Sequence, residues 1–122
     1  MKPSRLIIIA VILTSLLSFQ FTPKEKQLFS TNLRIVIQDD LGNIQEGAIV
    51  TLFANNDDYR ASKNPLAGPA VTDKKGRVAF KDLQEQVYFV HAAKDQLNNN
   101  GLGVQTDTLV GGKLNKIAIV IQ

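Results

Sequence analysis

The sequence predicts an all-β chain: about seven short strands in an antiparallel Greek-key β-sandwich, preceded by an N-terminal apolar segment. Three observations carry this. Apolar and polar residues alternate at period two in several runs, the mark of half-buried strands. Clusters of Gly, Asp, Asn and Pro separate these runs at short intervals, as in a sandwich. After the apolar start, no stretch holds a helical period over a useful length.

The first residues carry Lys2 and Arg5, and LIIIAVILTSLLSF (Leu6 to Phe19) follows without a charge. A basic start before an apolar run of this length is the pattern of a secretory signal, here placed at 1–22. The run is short for a membrane span, which needs about 20 apolar residues. An uncleaved anchor is the alternative, and only then is membrane contact expected. Residues 23–31, with Pro23 and Lys-Glu-Lys, read as a linker, and 32–122 as one domain. The expected localisation is exported, periplasmic or extracellular.

The chain holds 14 basic and 11 acidic residues, a net charge of +3. Loss of Lys2 and Arg5 with a signal brings this to about +1. The remaining charges are scattered singly, so no nucleic-acid footprint is expected. There is no cysteine, so the domain must hold by core packing without disulfides.

From Asn32 the elements follow in order. LRIVIQ places Leu33, Ile35 and Ile37 on one face. DDLGN (Asp39 to Asn43) supplies a turn, with Gly42 free to take positive φ. GAIVTLFA offers Ala48, Val50 and Leu52 to the core and Ile49, Thr51 and Phe53 to the other face. Residues 55–69, with two prolines and a glycine, predict an irregular loop. Ala70 to Asp73 reads as a short strand. Asp73-Lys74-Lys75-Gly76 has Asp first and Gly fourth, suiting a type I turn. Arg77 to Lys81 then returns as a hairpin partner, with Val78 and Phe80 inward. QVYFVHAAK alternates Tyr88, Val90 and Ala92 against Val87, Phe89 and His91. DQLNNNGLG (Asp95 to Gly103) is a second polar loop. VQTDTLV is a weak strand, Gly111-Gly112 a turn, and KLNKIAIVIQ a last strand with Ile117, Ile119 and Ile121 inward.

The order DDLGNIQEGAIVTL, then AVTDKKGRVAFKDL, then VYFVHAAK resembles the carboxypeptidase regulatory-like, or transthyretin-like, β-sandwich domain. That family runs through Asp-x-x-Gly, Gly-Ala-x-Val-x-Leu, Thr-Asp-x-x-Gly-x-Phe and a Leu-Pro-Pro-Gly-x-Tyr segment. Gly42, Gly47, Ala48, Val50, Leu52, Thr72, Asp73, Gly76, Phe80, Leu83 and Tyr88 match it. Gln45 stands where the family often has proline, and QEQV (Gln84 to Val87) replaces Pro-Pro-Gly. The resemblance is good over residues 32–94 and looser beyond. It implies a transthyretin-like or Ig-like sandwich used as an accessory or spacer module of exported proteins; fold alone implies no activity.

Candidate sites are few. His91 is the single histidine, too little for a metal site or a Ser-His-acid arrangement. The fold also hosts a hydrolase family that relies on several histidines and a C-terminal Tyr-Arg-Gly-Ser; this chain has one histidine and ends IAIVIQ. No catalytic residue, resident metal or cofactor is therefore expected. Asp57 and Asp58, beside Asn55 and Asn56, raise calcium, but Asp and Asn are also ordinary turn residues. Tyr88 suits a tyrosine corner, its hydroxyl bonding back to backbone. The candidate partner surface is the apolar outward set Ile49, Phe53, Val87 and Phe89, joined by Tyr59, Arg60 and His91. The predicted function is a non-enzymatic module for binding or scaffolding, with a protein partner ahead of a glycan; the chain has no tryptophan and two tyrosines. The alternatives are a small hydrolase, a carbohydrate-binding accessory module and a membrane-tethered structural subunit.

Overall fold

A computed structural model describes residues 29–122. The predicted signal and residues 23–28 of the predicted linker lie outside the described residues. The described part contains β1 (Asn32–Asp39), β2 (Ile49–Phe53), α1 (Asn56–Ala61), β3 (Ala67–Val71), β4 (Arg77–Phe80), β5 (Phe89–Lys94), β6 (Leu97–Asn98) and β7 (Leu114–Ile121). The strands form a β-sandwich. One sheet has the order β4-β1-β7 and the other β3-β2-β5-β6.

Alternation decides which face of each strand is inside. Leu33, Ile35 and Ile37 of β1 are fully buried, as are Val50 and Leu52 of β2, Val90 and Ala92 of β5, and Ile121 of β7. They meet with Val78, Phe80, Tyr88 and Ile119 in one apolar core between the sheets. Burying such side chains is the main stabilising term, about 1.5–3 kcal/mol each for the larger ones.

The long loop expected at 55–69 is instead a helix followed by a strand. Pro65 and Pro69 stand after α1, so they bound it rather than interrupt it. β3 begins at Ala67, three residues earlier than the sequence suggests, and passes through a cis Gly68–Pro69 bond. At an edge strand, proline removes no ladder donor that a neighbour needs.

The expected hairpin around Lys74-Lys75 is also different. The turn itself is present: the Gly76 N–H donates to Asp73 C=O at 2.9 Å, and the Asp73 N–H to Arg77 C=O at 2.9 Å. Yet β3 pairs with β2, whereas β4 pairs with β1 in the opposite sheet. The turn therefore carries the chain across the sandwich. Thr72, buried at the crossing, holds it: its Oγ1 accepts from the Ala48 N–H at 2.9 Å and donates to Gln45 C=O at 2.6 Å.

Four of the five strand pairings are antiparallel, and the fifth, β1 with β7, is parallel over eight residue pairs. Parallel neighbours need a long connection, and here nearly the whole described chain lies between them. The weak strand expected at 104–110 does not form as a strand, although it supplies the core with Leu109 and buries Thr106.

Candidate functional site

The outward side of the β2–β5 pair carries the predicted partner residues, and α1 sits over part of it. The helix forms for local reasons. Asn55, extended at φ −148°, caps it: Asn55 Oδ1 accepts the Asp58 N–H at 2.8 Å. Such a cap contributes about 1 kcal/mol. Asp57 and Asp58 occupy the first turn and Arg60 the last, each on the side that the helix dipole favours. Ser62, at φ 53°, ends it in left-handed backbone.

This places Tyr59 face down. It is 2% exposed, and its ring meets Phe53, Phe89 and His91 at centroid distances of 6.2, 6.2 and 6.0 Å. Phe53 is 3% exposed beneath it. Phe53 and Tyr59 are thus interior residues, packed between helix and sheet. Val87, Phe89 and His91 are half-buried and Arg60 is exposed. Ile49, at 49% exposure, lies beyond the helix, opposite Val71 at 63% and Ala93. The predicted surface therefore divides into a covered aromatic cluster and a small open apolar pair, Ile49 and Val71.

The Tyr59 hydroxyl donates to the backbone C=O of Asn99 and lies 3.3 Å from its Oδ1. Burial raises the Tyr59 pKa above its ordinary value, opposed in part by the backbone N–H groups of Val104, Gly103 and Leu102. Asn99 is the residue that sequence reasoning missed. It is fully buried. Its Nδ2 donates to Val90 C=O at 2.8 Å, its Oδ1 accepts from the Ala92 N–H at 3.1 Å, and its own N–H donates to Ala92 C=O at 3.2 Å. Along this edge β5 lacks a full neighbouring strand. Asn99, the Val104 carbonyl (from the Val90 N–H, 2.9 Å) and Thr106 (to Tyr88 N–H and C=O) take its place. Asn98, Asn99 and Asn100 are identical in the sequence, and no local signal separates them.

His91 Nε2 and Asn100 Oδ1 are hydrogen-bond partners. With Tyr59, Arg60, Ser62, Asn100 and Gly101, His91 lines a cleft of about 200 Å³. A second, wider groove of about 360 Å³ runs beside Leu66, Leu83 and Tyr88. There the Tyr88 hydroxyl accepts from the Gln84 N–H at 3.0 Å and donates to Gln84 C=O at 3.2 Å, a bond back to backbone of the corner type. The Asp58 carboxylate is engaged with Asn55 Nδ2 at 3.1 Å. Among the described residues, no three His, Cys, Asp or Glu side chains come together as a metal-binding group.

Two carboxylates organise the turns at one end of the sandwich. Asp39 Oδ1 accepts the N–H groups of Asn43 (2.8 Å) and Leu41 (3.0 Å), and Asp73 Oδ1 those of Lys75 (2.8 Å) and Arg77 (3.0 Å). These bonds favour the ionised form and lower both pKa values, the largest causes being the backbone N–H of Asn43 for Asp39 and that of Arg77 for Asp73.

No protein-family model matches the chain, and neither does any curated protein. Solved structures do. The major pilin subunit BcpA of Bacillus cereus is similar at 16% identity over 76% of this chain, with a TM-score of 0.50. That likeness is one of β-sandwich fold, and this chain spans 30% of the pilin's length. A candidate carbohydrate binding protein from Pseudomonas aeruginosa and chlorocatechol 1,2-dioxygenase from Pseudomonas putida each align at 15% identity with a TM-score of 0.43. They cover 77% and 84% of this chain and 90% and 63% of their own lengths, and no argument rests on them. Among the described residues, no helix is long and apolar enough to cross a membrane.

Proposed function

We propose that this chain is an exported, non-enzymatic β-sandwich module of the carboxypeptidase regulatory-like type, serving protein binding or scaffolding. One observation carries the reading: the buried polar residues Thr72, Asn99 and Thr106 are spent on the fold, and among the described residues Asn56 Oδ1, at the start of α1, is the one buried side-chain polar atom without a partner. Thr72, Asn99 and Thr106 each bond to backbone of a neighbouring segment. Tyr59 bonds to Asn99, Tyr88 to Gln84, and His91 to Asn100. A catalytic site needs a nucleophile, a base and a place for the reacting atom within reach of one another. These side chains instead pair off along the edge of β5 and at turns. A pilin subunit with a sandwich of this fold is a precedent for structural use, and the basic-then-apolar start supports export.

The test is cross-linking in the native cell from a photoreactive residue at Ile49, with a second at Val71. Recovery of one protein partner from both positions, in an amount comparable to the chain itself, is the expected result. A recovered small metabolite with turnover by the purified chain would sink the reading.

A further inference from the structure

The outer face of the β4-β1-β7 sheet is chemically one-sided. Alternation and register put Arg77 and Ala79 of β4, Arg34, Val36 and Gln38 of β1, and Lys116, Ala118 and Val120 of β7 on it. All are exposed or half-exposed. Residues 29–122 hold ten basic and ten acidic side chains, yet no acidic residue takes an outward position on these three strands. Arg34 stands directly opposite Lys116, and Arg77 opposite Val36 next along β1. At ordinary strand spacing the three cations lie within about 12 Å of one another. Like charges held side by side repel, so the Arg34–Lys116 pair gives the sheet no electrostatic stabilisation.

We propose that this face docks on the anionic surface of a lipid bilayer. The cations stand among small and apolar residues (Ala79, Ala118, Val36, Val120), and the two clefts described above lie elsewhere. A basic face with apolar ground between the charges fits a plane of headgroups, with Arg34 and Lys116 side by side and Arg77 near the Asp73 carboxylate at the rim. The inference rests on export to a membrane-facing compartment.

The test is co-sedimentation of the chain, as isolated from its cell, with two kinds of vesicle: phosphatidylcholine alone, and phosphatidylcholine with phosphatidylglycerol. Each cation near an anionic surface is worth roughly fivefold in binding. The wild type should prefer the phosphatidylglycerol vesicles, and added salt should erase the preference. The double variant R34Q/K116Q should lose about 25-fold of that preference, while K63Q/K94Q, with the same change of net charge off this face, should keep nearly all of it. R34Q/K116Q removes an unfavourable pair, so it should melt no lower than wild type, which separates lost docking from lost folding. Equal losses in the two variants, or no preference in the wild type, would overturn the proposal. So would binding of poly-glutamate without binding of phosphatidylglycerol, because an acidic protein would then be the partner. Vesicle binding in vitro does not depend on where the cell sends the chain, so its failure is distinguishable from failure of the export reading.

Discussion

Asn99→Ala should be among the most damaging single polar substitutions in this domain. The side chain is fully buried and fills the gap beside β5 with two hydrogen bonds, 2.8 Å to Val90 C=O and 3.1 Å to the Ala92 N–H. Alanine leaves both backbone groups buried without those partners. Each such group costs about 1–3 kcal/mol, so the expected loss for the two is about 2–6 kcal/mol. That is a large part of the 5–15 kcal/mol typical of a domain. The flanking asparagines are the internal comparison. Asn98 Oδ1 accepts the Asn100 N–H at 3.0 Å near the surface, and Asn100 is exposed. Their alanine variants should each cost under about 1 kcal/mol. Urea unfolding followed by circular dichroism measures all three. With a slope near 1 kcal/mol per molar urea, the Asn99→Ala midpoint should fall by about 2 M or more. Three equal midpoints would refute the surrogate-strand reading of Asn99.

Other predictions follow from the turns and from the buried tyrosine. A Cβ on Gly76 (φ +69°) would lie 2.4 Å from Ile44 Cγ2 and 3.0 Å from Ile37 O, whereas one on Gly42 (φ +84°) meets open space. Gly42→Ala should therefore cost only the backbone strain, about 1 kcal/mol, and Gly76→Ala clearly more, read as denaturant midpoints. The Tyr59 pKa is raised by burial, so its contribution is intact below about pH 10 and is lost as the pH climbs toward the folded-state value. Tyr59→Phe should flatten that alkaline fall in melting temperature. The lowered pKa values of Asp39 and Asp73 act in the opposite sense. Their contribution is present above the ordinary carboxylate value and lost as the pH falls through the lowered folded-state values. Asp73→Asn keeps an acceptor at the turn and should shrink the acid-side loss of stability.

Much of the fold was legible in the sequence where one face of a strand is buried and the other is not. β1 and β7 show this directly, since their alternating isoleucines are the core. Turn chemistry was legible too: Asp73 and Gly76 make the turn their types suggest. What the turn joins was not, because the same four residues serve a hairpin or a crossing between sheets, and strand pairing decides between them. The parallel pairing of β1 with β7 is long-range in the same way. α1 was hidden by its brevity: six residues show no full apolar period, and its prolines follow it. Phe53 and Tyr59 are interior because of this helix, since an outward aromatic on an uncovered sheet becomes interior once a helix lies over it. Asn99 was illegible because burial of one asparagine among three depends on the gap beside β5, which exists only in the folded sheet.

The central claim, an exported module, is tested most directly by the intact mass and cell fraction of the natively expressed chain. The account predicts a mass beginning between residues 19 and 23, found in the periplasm or the medium. A chain that keeps Lys2 and Arg5 and is recovered from the cytosol would contradict it.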